Sequence, residues 1–443
     1  MTRRGEMGRK SRKRTRSTPR ALGLLTPRLF NAGDDLADAH AHLSREGFVV
    51  FRSPLRAEED GSLNVLWDDA WRTFATLEPG LQRDDRSTWT DARMSAIADD
   101  PSTGVAWGRG VAHSDLCWRV RTNETIRRIF KALLLGEEDR APRDAPGAAP
   151  GDAGSSTALL ECEGALGDES DDGLCVGFDG ICVQWRVAAH QRRKPWLHRD
   201  QNCTVARAAG GRGVLSLQGA LNLLPVDASD GGFIVVPRSH RDASVPPAPR
   251  PSRHTSAGGS DPPHFVMLPF AHPAQARAVK LLLPEPGTLV VWNSLTLHAS
   301  HPGESNRPGS TNGSPSSGRL APTVPQLNRL TVFVSYALRR ERSDAVRRAK
   351  VDAYLAGVAT SHWAQFCHLK SDAAAVYHAR CKCEKEREKG ARSRSWGDSV
   401  AGAAAVAEGS AAGAAAAAVA ERSRLAPCLG AGGAIPPQRA ALF

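Results

Sequence analysis

Residues 287–298 read GTLVVWNSLTLH, a glycine turn followed by an apolar run that ends at a histidine. Such a run of β-branched and aromatic residues predicts a buried strand over Leu289–Trp292. A second segment, Trp196–Asn202, reads WLHRDQN. In an extended chain residues i and i+2 point to the same side, so His198 and Asp200 face one way and can share a metal ion. The two segments together predict a β fold that carries a metal site.

Short apolar strands punctuated by Gly, Pro, Asn and Asp fill the second half of the chain. We predict them at Gly180–Val187, Val214–Leu223, Gly232–Val236, Val279–Leu283, Leu289–Trp292 and Leu330–Tyr336. Helical spacing of apolar residues predicts helices mainly ahead of these strands, at 33–46, 63–77 and 123–135. Helices that precede strands argue against a parallel βαβ fold. The predicted class is mainly β with flanking helices, in a sandwich or barrel of jelly-roll type.

Composition divides the chain into one domain and several low-complexity stretches. The 443 residues include 41 Gly and 29 Pro. Tracts rich in Ala, Gly, Ser and Pro cannot bury enough apolar surface to offset the entropy of ordering them. We therefore predict a basic disordered arm, one large domain with three disordered insertions, and a charged then Ala/Gly-rich low-complexity tail. The ranges are 1–21 for the arm, 22–370 for the domain, 137–172, 243–262 and 303–325 for the insertions, and 371–443 for the tail.

The excess positive charge lies in the arm. The formal net charge is +11, and residues 1–20 hold nine basic residues against one acid. Such an arm fits a nuclear or nucleic-acid patch, an organelle transit peptide or a solvated tail, and these alternatives stay open. Because the rest of the chain is nearly balanced, we expect no nucleic-acid contact except through residues 1–20.

Targeting signals other than the arm are not evident. No apolar run approaches the ~20 residues that cross a bilayer, so we expect no membrane span. The apolar stretch Ala21–Leu25 is too short for a secretory signal. The nine cysteines have irregular spacings that do not predict a disulfide framework. We expect an intracellular protein, in the cytoplasm or in an organelle reached through the arm.

A third ligand would complete a set of two imidazoles and one carboxylate. On one face of an octahedron this set leaves open positions, the arrangement of non-haem Fe(II) oxygenases. We prefer His298 to join His198 and Asp200, because its strand leads after a loop to another strand that begins with an arginine. Spacing alone leaves other histidines as candidates, namely His240, His254, His264, His272 and His301.

The arginine is Arg329, which opens the apolar stretch NRLTVFVSY at 328–336. Arginine binds a carboxylate through two parallel hydrogen bonds better than any other side chain. An iron site beside such a clamp suits a 2-oxo acid, which chelates the metal at one end and meets the arginine at the other. Arg319, in the Pro/Gly/Ser-rich stretch, is the rival anchor.

These segments resemble the phytanoyl-CoA dioxygenase-like branch of the Fe(II)- and 2-oxoglutarate-dependent oxygenases. The matching stretches are KPWLHRDQ at 194–201, VLSLQGALNL at 214–223, DGGFIVVPRSH at 230–240, PGTLVVWNS at 286–294 through His298, 329–336, FDG at 178–180 and TSHW at 360–363. The resemblance implies a double-stranded β-helix, a jelly-roll and cupin-like core with helices backing one sheet. It also implies that His240 belongs to a structural loop.

By the same resemblance, the iron ligands are His198, Asp200 and His298, Arg329 anchors 2-oxoglutarate, and Ser300 is the supporting hydroxyl. The implied cofactors are Fe(II) and 2-oxoglutarate, the latter as co-substrate with O2. The implied reaction hydroxylates a small-molecule or acyl substrate and releases succinate and CO2.

One departure from the family concerns spacing, because Arg329 lies 31 residues after His298 with the stretch 303–325 between them. Three alternatives to the oxygenase stay open. They are a catalytically silent jelly-roll binding module, a nucleic-acid-associated protein that uses the basic arm, and a cupin-like metal enzyme that does not use 2-oxoglutarate. The presence of Arg329 argues against the last of these.

Overall fold

The fold is taken from a computed structural model of the chain. It describes residues 22–33, 36–55, 62–101, 103–135, 173–185, 197–200, 216–242, 266–268, 272–303, 327–369, 439 and 442. The predicted arm and the predicted insertions 137–172 and 243–262 lie outside the described residues, as does all of the insertion 303–325 except Gly303.

Six α-helices occur in the described residues. They are α1 (Leu36–Glu46), α2 (Leu63–Leu77), α3 (Asp91–Ile97), α4 (Asp115–Thr122), α5 (Glu124–Leu135) and α6 (Asp344–Leu355). The helix predicted at 63–77 is confirmed with those bounds, and α1 and α5 lie within the other two predicted helices. The Ser62 hydroxyl accepts a hydrogen bond from the amide of Val65 and so caps the start of α2. None of the described helices is long and apolar enough to span a membrane.

Fourteen strands in the described residues form two sheets. They are β1 (Gly23–Leu25), β2 (Leu29–Phe30), β3 (Phe48–Phe51), β4 (Val105–Ala106), β5 (Leu174–Val176), β6 (Ile181–Trp185), β7 (His198–Arg199), β8 (Leu217–Asn222), β9 (Gly231–Val235), β10 (Val266–Met267), β11 (Val279–Leu281), β12 (Thr288–Asn293), β13 (His298–Pro302) and β14 (Leu327–Leu338). The first sheet has the order β2-β3-β12-β8-β14-β6-β4, with β5 also paired to β14. The second has the order β1-β11-β9-β13-β7-β10.

The topology of the central strands is that of a jelly roll. From β6 to β14 the chain passes repeatedly between the sheets, so that β12-β8-β14-β6 face β11-β9-β13-β7. Antiparallel neighbours are therefore distant in the sequence, as in double-sheet jelly rolls. The predicted fold class, mainly β with flanking helices around a jelly-roll core, is confirmed, and neither sheet closes into a barrel.

Successive side chains of β12 belong to two different apolar cores. Val290 and Trp292 belong to the apolar cluster between the sheets, whereas Leu289 and Val291 belong to the larger cluster beneath the helices. Successive side chains of a strand point to opposite faces, so a strand covered on both sides is apolar throughout. Burying each such side chain contributes about 1.5–3 kcal/mol. This double burial fixes β12 between the two cores.

Two residues from the predicted tail lie against the domain. Leu442 is fully buried, and its carbonyl accepts a hydrogen bond from the amide of Val176 at 3.2 Å. The Arg439 guanidinium donates to the Asp115 carboxylate at 3.0 Å and to the Tyr354 hydroxyl at 3.2 Å. Leu442 therefore belongs to the main core, and Arg439 contacts the helices beside it.

Candidate metal centre

The structure brings together the three residues that the sequence analysis selected as metal ligands. His198 on β7 and His298 on β13 are direct partners across the ladder. Asp200 lies just after β7, with Oδ2 at 2.9 Å from His298 Nε2 and Oδ1 at 3.4 Å from His198 Nε2. One ligand atom from each residue lies within 4.8 Å of the other two. This separation is small enough for one cation to contact all three.

The register of the second sheet turns the two histidines toward the interior of the jelly roll. On its other side His298 pairs with Val235, whose side chain lies in the cluster between the sheets. Residues directly opposite each other share a face of the sheet. Phe233 stacks on the His298 ring with centroids 5.5 Å apart, and the Trp292 ring lies 5.2 Å away. The metal centre therefore has an aromatic, water-poor wall on one side.

The His298 ring is held in one orientation by its own strand. Its Nδ1 lies 2.9 Å from the main-chain carbonyl of Thr296. A carbonyl only accepts hydrogen bonds, so Nδ1 carries the proton and Nε2 presents its lone pair. Since Nε2 is the atom that faces Asp200, the tautomer suits a metal ligand.

The Asp200 carboxylate is oriented by a polar side chain from the opposite sheet. Gln218 on β8 donates through Nε2 to Asp200 Oδ2 at 2.8 Å and to the Ser294 hydroxyl at 3.1 Å. The Asp200 amide donates to the Ser294 carbonyl at 3.2 Å. These contacts fix both ends of the residue.

The surroundings of Asp200 keep its carboxyl group ionised. Burial by itself raises the pKa, but the positive charge that the imidazoles of His362, His298 and His198 carry when protonated outweighs it and holds the pKa of Asp200 well below its ordinary value. A buried carboxylate beside two imidazoles has the charge and the donor types that a divalent transition metal requires.

A buried arginine lies on the first sheet, close to the far end of β13. Arg329 is 2% exposed. Its Nη1 donates to the Ser300 hydroxyl at 2.5 Å and to the Gly232 carbonyl at 3.3 Å, and its Nε donates to the Thr331 hydroxyl at 3.1 Å. Within the described residues no carboxylate lies within ion-pair distance of Arg329. The guanidinium is therefore a buried cation whose protein partners there are neutral.

Strand β13 links this arginine to the metal centre. His298 and Ser300 are two residues apart, so they lie on the same face with a separation of about 7 Å along the strand. Gln184 on β6 also reaches the Ser300 hydroxyl, with Nε2 at 3.3 Å. Strand β13 thus carries the His298 imidazole and, two residues further on, the Ser300 hydroxyl that contacts the Arg329 guanidinium.

The competing histidines of the described residues lie away from the cluster. His240 occupies a 3₁₀ turn and contacts a main-chain carbonyl of α1 at 3.0 Å. His272 caps a 3₁₀ turn through Nδ1, and His301 accepts a hydrogen bond from the Gly303 amide. The remaining candidates, His254, His264 and the rival anchor Arg319, lie outside the described residues.

Three residues that contact Asp200 were not predicted, namely Gln218, His362 and Trp363. Gln218 is a polar residue in an otherwise apolar strand, a signal present in the stretch 214–223. Trp363 lies in the segment that follows α6, and its indole Nε1 donates to the Asp200 carbonyl at 3.1 Å. No local pattern ties Trp363 to a residue 163 positions away.

The structure therefore defines a class of protein, namely a jelly-roll fold that carries a candidate metal centre of two imidazoles and one carboxylate. No family model matches the sequence. Ava biosynthesis cluster protein O of Aspergillus versicolor is 25% identical over 280 residues, which make up 61% of this chain and 74% of that protein.

Similar solved structures include enzymes crystallised with iron or 2-oxoglutarate. EctD from S. alaskensis with 2-oxoglutarate and 5-hydroxyectoine is 14% identical at a TM-score of 0.38, over 74% of this chain and 88% of that one. The epimerase SnoN in complex with Fe3+, alpha ketoglutarate and nogalamycin RO is 14% identical at a TM-score of 0.35, over 68% and 83%.

Proposed function

We propose that the protein is an Fe(II)- and 2-oxoglutarate-dependent oxygenase with His198, Asp200 and His298 as iron ligands. The observation that carries the proposal is the position of β13, which presents His298 to the cluster and Ser300 to the buried Arg329. A metal centre and an anion anchor that β13 links through His298 and Ser300 match the two ends of a 2-oxo diacid.

The residues of the cluster fit Fe(II). Two imidazole nitrogens and one carboxylate oxygen approach from one side, and such a set leaves positions open for other ligands. The three residues bring one negative charge and are largely buried, which favours a divalent cation over water. Fe(II) held there would supply dioxygen activation, coupled to conversion of 2-oxoglutarate into succinate and CO2.

Arg329 fits the distal carboxylate of 2-oxoglutarate. A buried guanidinium without a carboxylate costs several kcal/mol, and an anionic ligand removes that cost. Nη2 of Arg329 has no hydrogen-bond partner among the described residues, so its two N–H groups can donate to a carboxylate, while Ser300 and Thr331 fix the plane of the guanidinium. The separation of about 7 Å along β13 suits an extended five-carbon diacid that chelates the metal at its other end.

The reaction class that follows is hydroxylation. One atom of O2 enters the substrate as a hydroxyl group, the other enters succinate, and CO2 leaves. Because Asp200 fills the carboxylate position, no ligand position is vacated for a halide, which favours hydroxylation over halogenation. The substrate class is a small molecule or an acyl compound, and the motifs at 194–201, 230–240 and 286–298 support the phytanoyl-CoA dioxygenase-like branch.

The test measures succinate formed from 2-oxoglutarate by the full chain loaded anaerobically with Fe(II) and then exposed to O2. Slow succinate formation is expected without the true substrate, and His198→Ala should reduce it to background because one of three ligands is lost. His301→Ala is the matched control, since His301 lies on β13 but outside the cluster. No succinate from folded, iron-loaded protein would contradict the proposal, as would an equal rate in His198→Ala.

A further inference from the structure

Asp200 is a metal-ligand candidate that its own strand cannot hold in place. Strand β7 has two residues, and its ladder to β13 consists of the single pair His198 and His298. Asp200 follows the last residue of that strand. Its orientation must therefore come from contacts with other parts of the chain.

Half of those contacts come from the segment 360–369 that follows α6. The Trp363 indole donates to the Asp200 carbonyl at 3.1 Å, and His362 Nε2 lies 3.4 Å from the same oxygen. His362 Nε2 also lies 3.8 Å from Asp200 Oδ1. A carbonyl oxygen has two lone pairs, so two donors from consecutive residues fill its capacity.

The segment that carries these donors is itself firmly attached. The Thr360 amide donates to the Phe178 carbonyl at 3.0 Å, and the Thr360 hydroxyl accepts from the Phe178 amide at 2.8 Å. The Ser361 amide donates to the His368 carbonyl at 2.7 Å, which closes the segment into a loop. Trp363 is 1% exposed, so its ring has no freedom to turn away from Asp200.

We propose that Trp363 and His362 are positioning residues for the metal centre. By holding the Asp200 carbonyl they fix the peptide plane after Asp200 and hence the direction in which its carboxylate points. The inference rests on the proposed function, because it requires Asp200 to bind a metal. Groups that orient a metal ligand are usually worth 10–100-fold in metal affinity, so they can be detected by binding alone.

The test compares metal binding by the apo full chain with its thermal unfolding. Trp363→Phe keeps the ring and removes the donor, so the Kd for Co(II) should rise about tenfold. His362→Ala should raise it severalfold, because that contact is longer, and His362→Gln should restore it by returning a donor. Trp71→Phe is the matched control, since Trp71 is a buried indole on α2 whose N–H has no hydrogen-bond partner among the described residues.

The outcomes are distinguishable. A raised Kd in Trp363→Phe with an unfolding temperature like that of Trp71→Phe supports a positioning role. A Kd within twofold of wild type in Trp363→Phe and in His362→Ala overturns it, whatever happens to stability. Failure of the wild-type chain to bind Co(II) or Fe(II) overturns the metal centre itself and this inference with it.

Discussion

Replacing Arg329 by Gln tests whether this arginine binds an anion or only supports the structure. The guanidinium is 2% exposed and bonds to two hydroxyls and one carbonyl, with no carboxylate nearby among the described residues. Without ligand the protein bears the cost of this buried charge. The substitution should therefore weaken 2-oxoglutarate binding and leave the apo protein as stable as before, or more stable.

The magnitude follows from the two hydrogen bonds that the N–H groups of Nη2 can donate to a carboxylate. Charge-assisted hydrogen bonds contribute about 1.5–3 kcal/mol each, so losing two costs about 3 kcal/mol at the lower end. At 1.4 kcal/mol per factor of ten, the Kd for 2-oxoglutarate rises roughly a hundredfold. Arg329→Lys keeps the charge without the guanidinium, and we expect a rise of about tenfold.

Calorimetric titration of 2-oxoglutarate into the anaerobic Fe(II)-loaded chain measures the Kd, and thermal unfolding of the apo chain measures stability. Arg121→Gln is the matched control. Arg121 is also fully buried, but it donates to the main-chain carbonyls of Ala112 and Asp179 on the helical side. Its loss should lower the unfolding temperature and leave the Kd unchanged. The reasoning is refuted if Arg329→Gln destabilises the apo protein like Arg121→Gln and binds 2-oxoglutarate normally.

Two further predictions concern stability. Leu442→Ala should lower the free energy of unfolding by about 2 kcal/mol, because Leu442 is fully buried in the main core; a change below about 0.5 kcal/mol in urea unfolding would show that the chain end does not pack there. Burial lowers the pKa of His113 to about 3, so the unfolded chain takes up this proton first as the pH falls below the ordinary value of 6.5. Between pH 6.5 and 5 the unfolding free energy should fall by about 1.5 kcal/mol from this group. His113→Phe should lack that component, and an unchanged pH slope in the variant would contradict the assignment.

The proximity of His198, Asp200 and His298 could be predicted from the sequence because the three residues follow local patterns. His198 and Asp200 share a face in any extended segment. His298 was expected at the far end of the apolar strand, but that strand ends at Asn293 and His298 begins β13 in the other sheet. Arg329 likewise marks the start of a strand. Each of these predictions requires only that the residue lies on or beside an extended strand, and β7, β13 and β14 meet that requirement.

Contacts that depend on strand register, or on residues far apart in the sequence folding together, could not be predicted from the sequence. Gln218 reaches Asp200 only because β8 lies beside β12 in a fixed register. Trp363 reaches it because the chain folds back after α6. Leu442 is an isolated leucine near the end of an Ala- and Gly-rich stretch, where no periodicity predicts burial.

Some short helices were missed for a related reason. Helix α4, capped by the Ser114 hydroxyl, has eight residues of mixed polarity. Its buried residues include Arg121, a charged side chain that composition assigns to the surface. Packing against β14 and the neighbouring helices, rather than an apolar stripe, determines that helix.

The most direct test is the visible spectrum of the anaerobic chain with Fe(II) after addition of 2-oxoglutarate. A 2-oxo acid chelated to Fe(II) gives a weak charge-transfer band, which the wild-type chain should show and His298→Ala should lack. That result would establish the metal, the co-substrate and the ligand on β13 in one experiment. Absence of the band from folded wild-type protein with iron bound, or its persistence at full intensity in His298→Ala, would contradict the proposed centre.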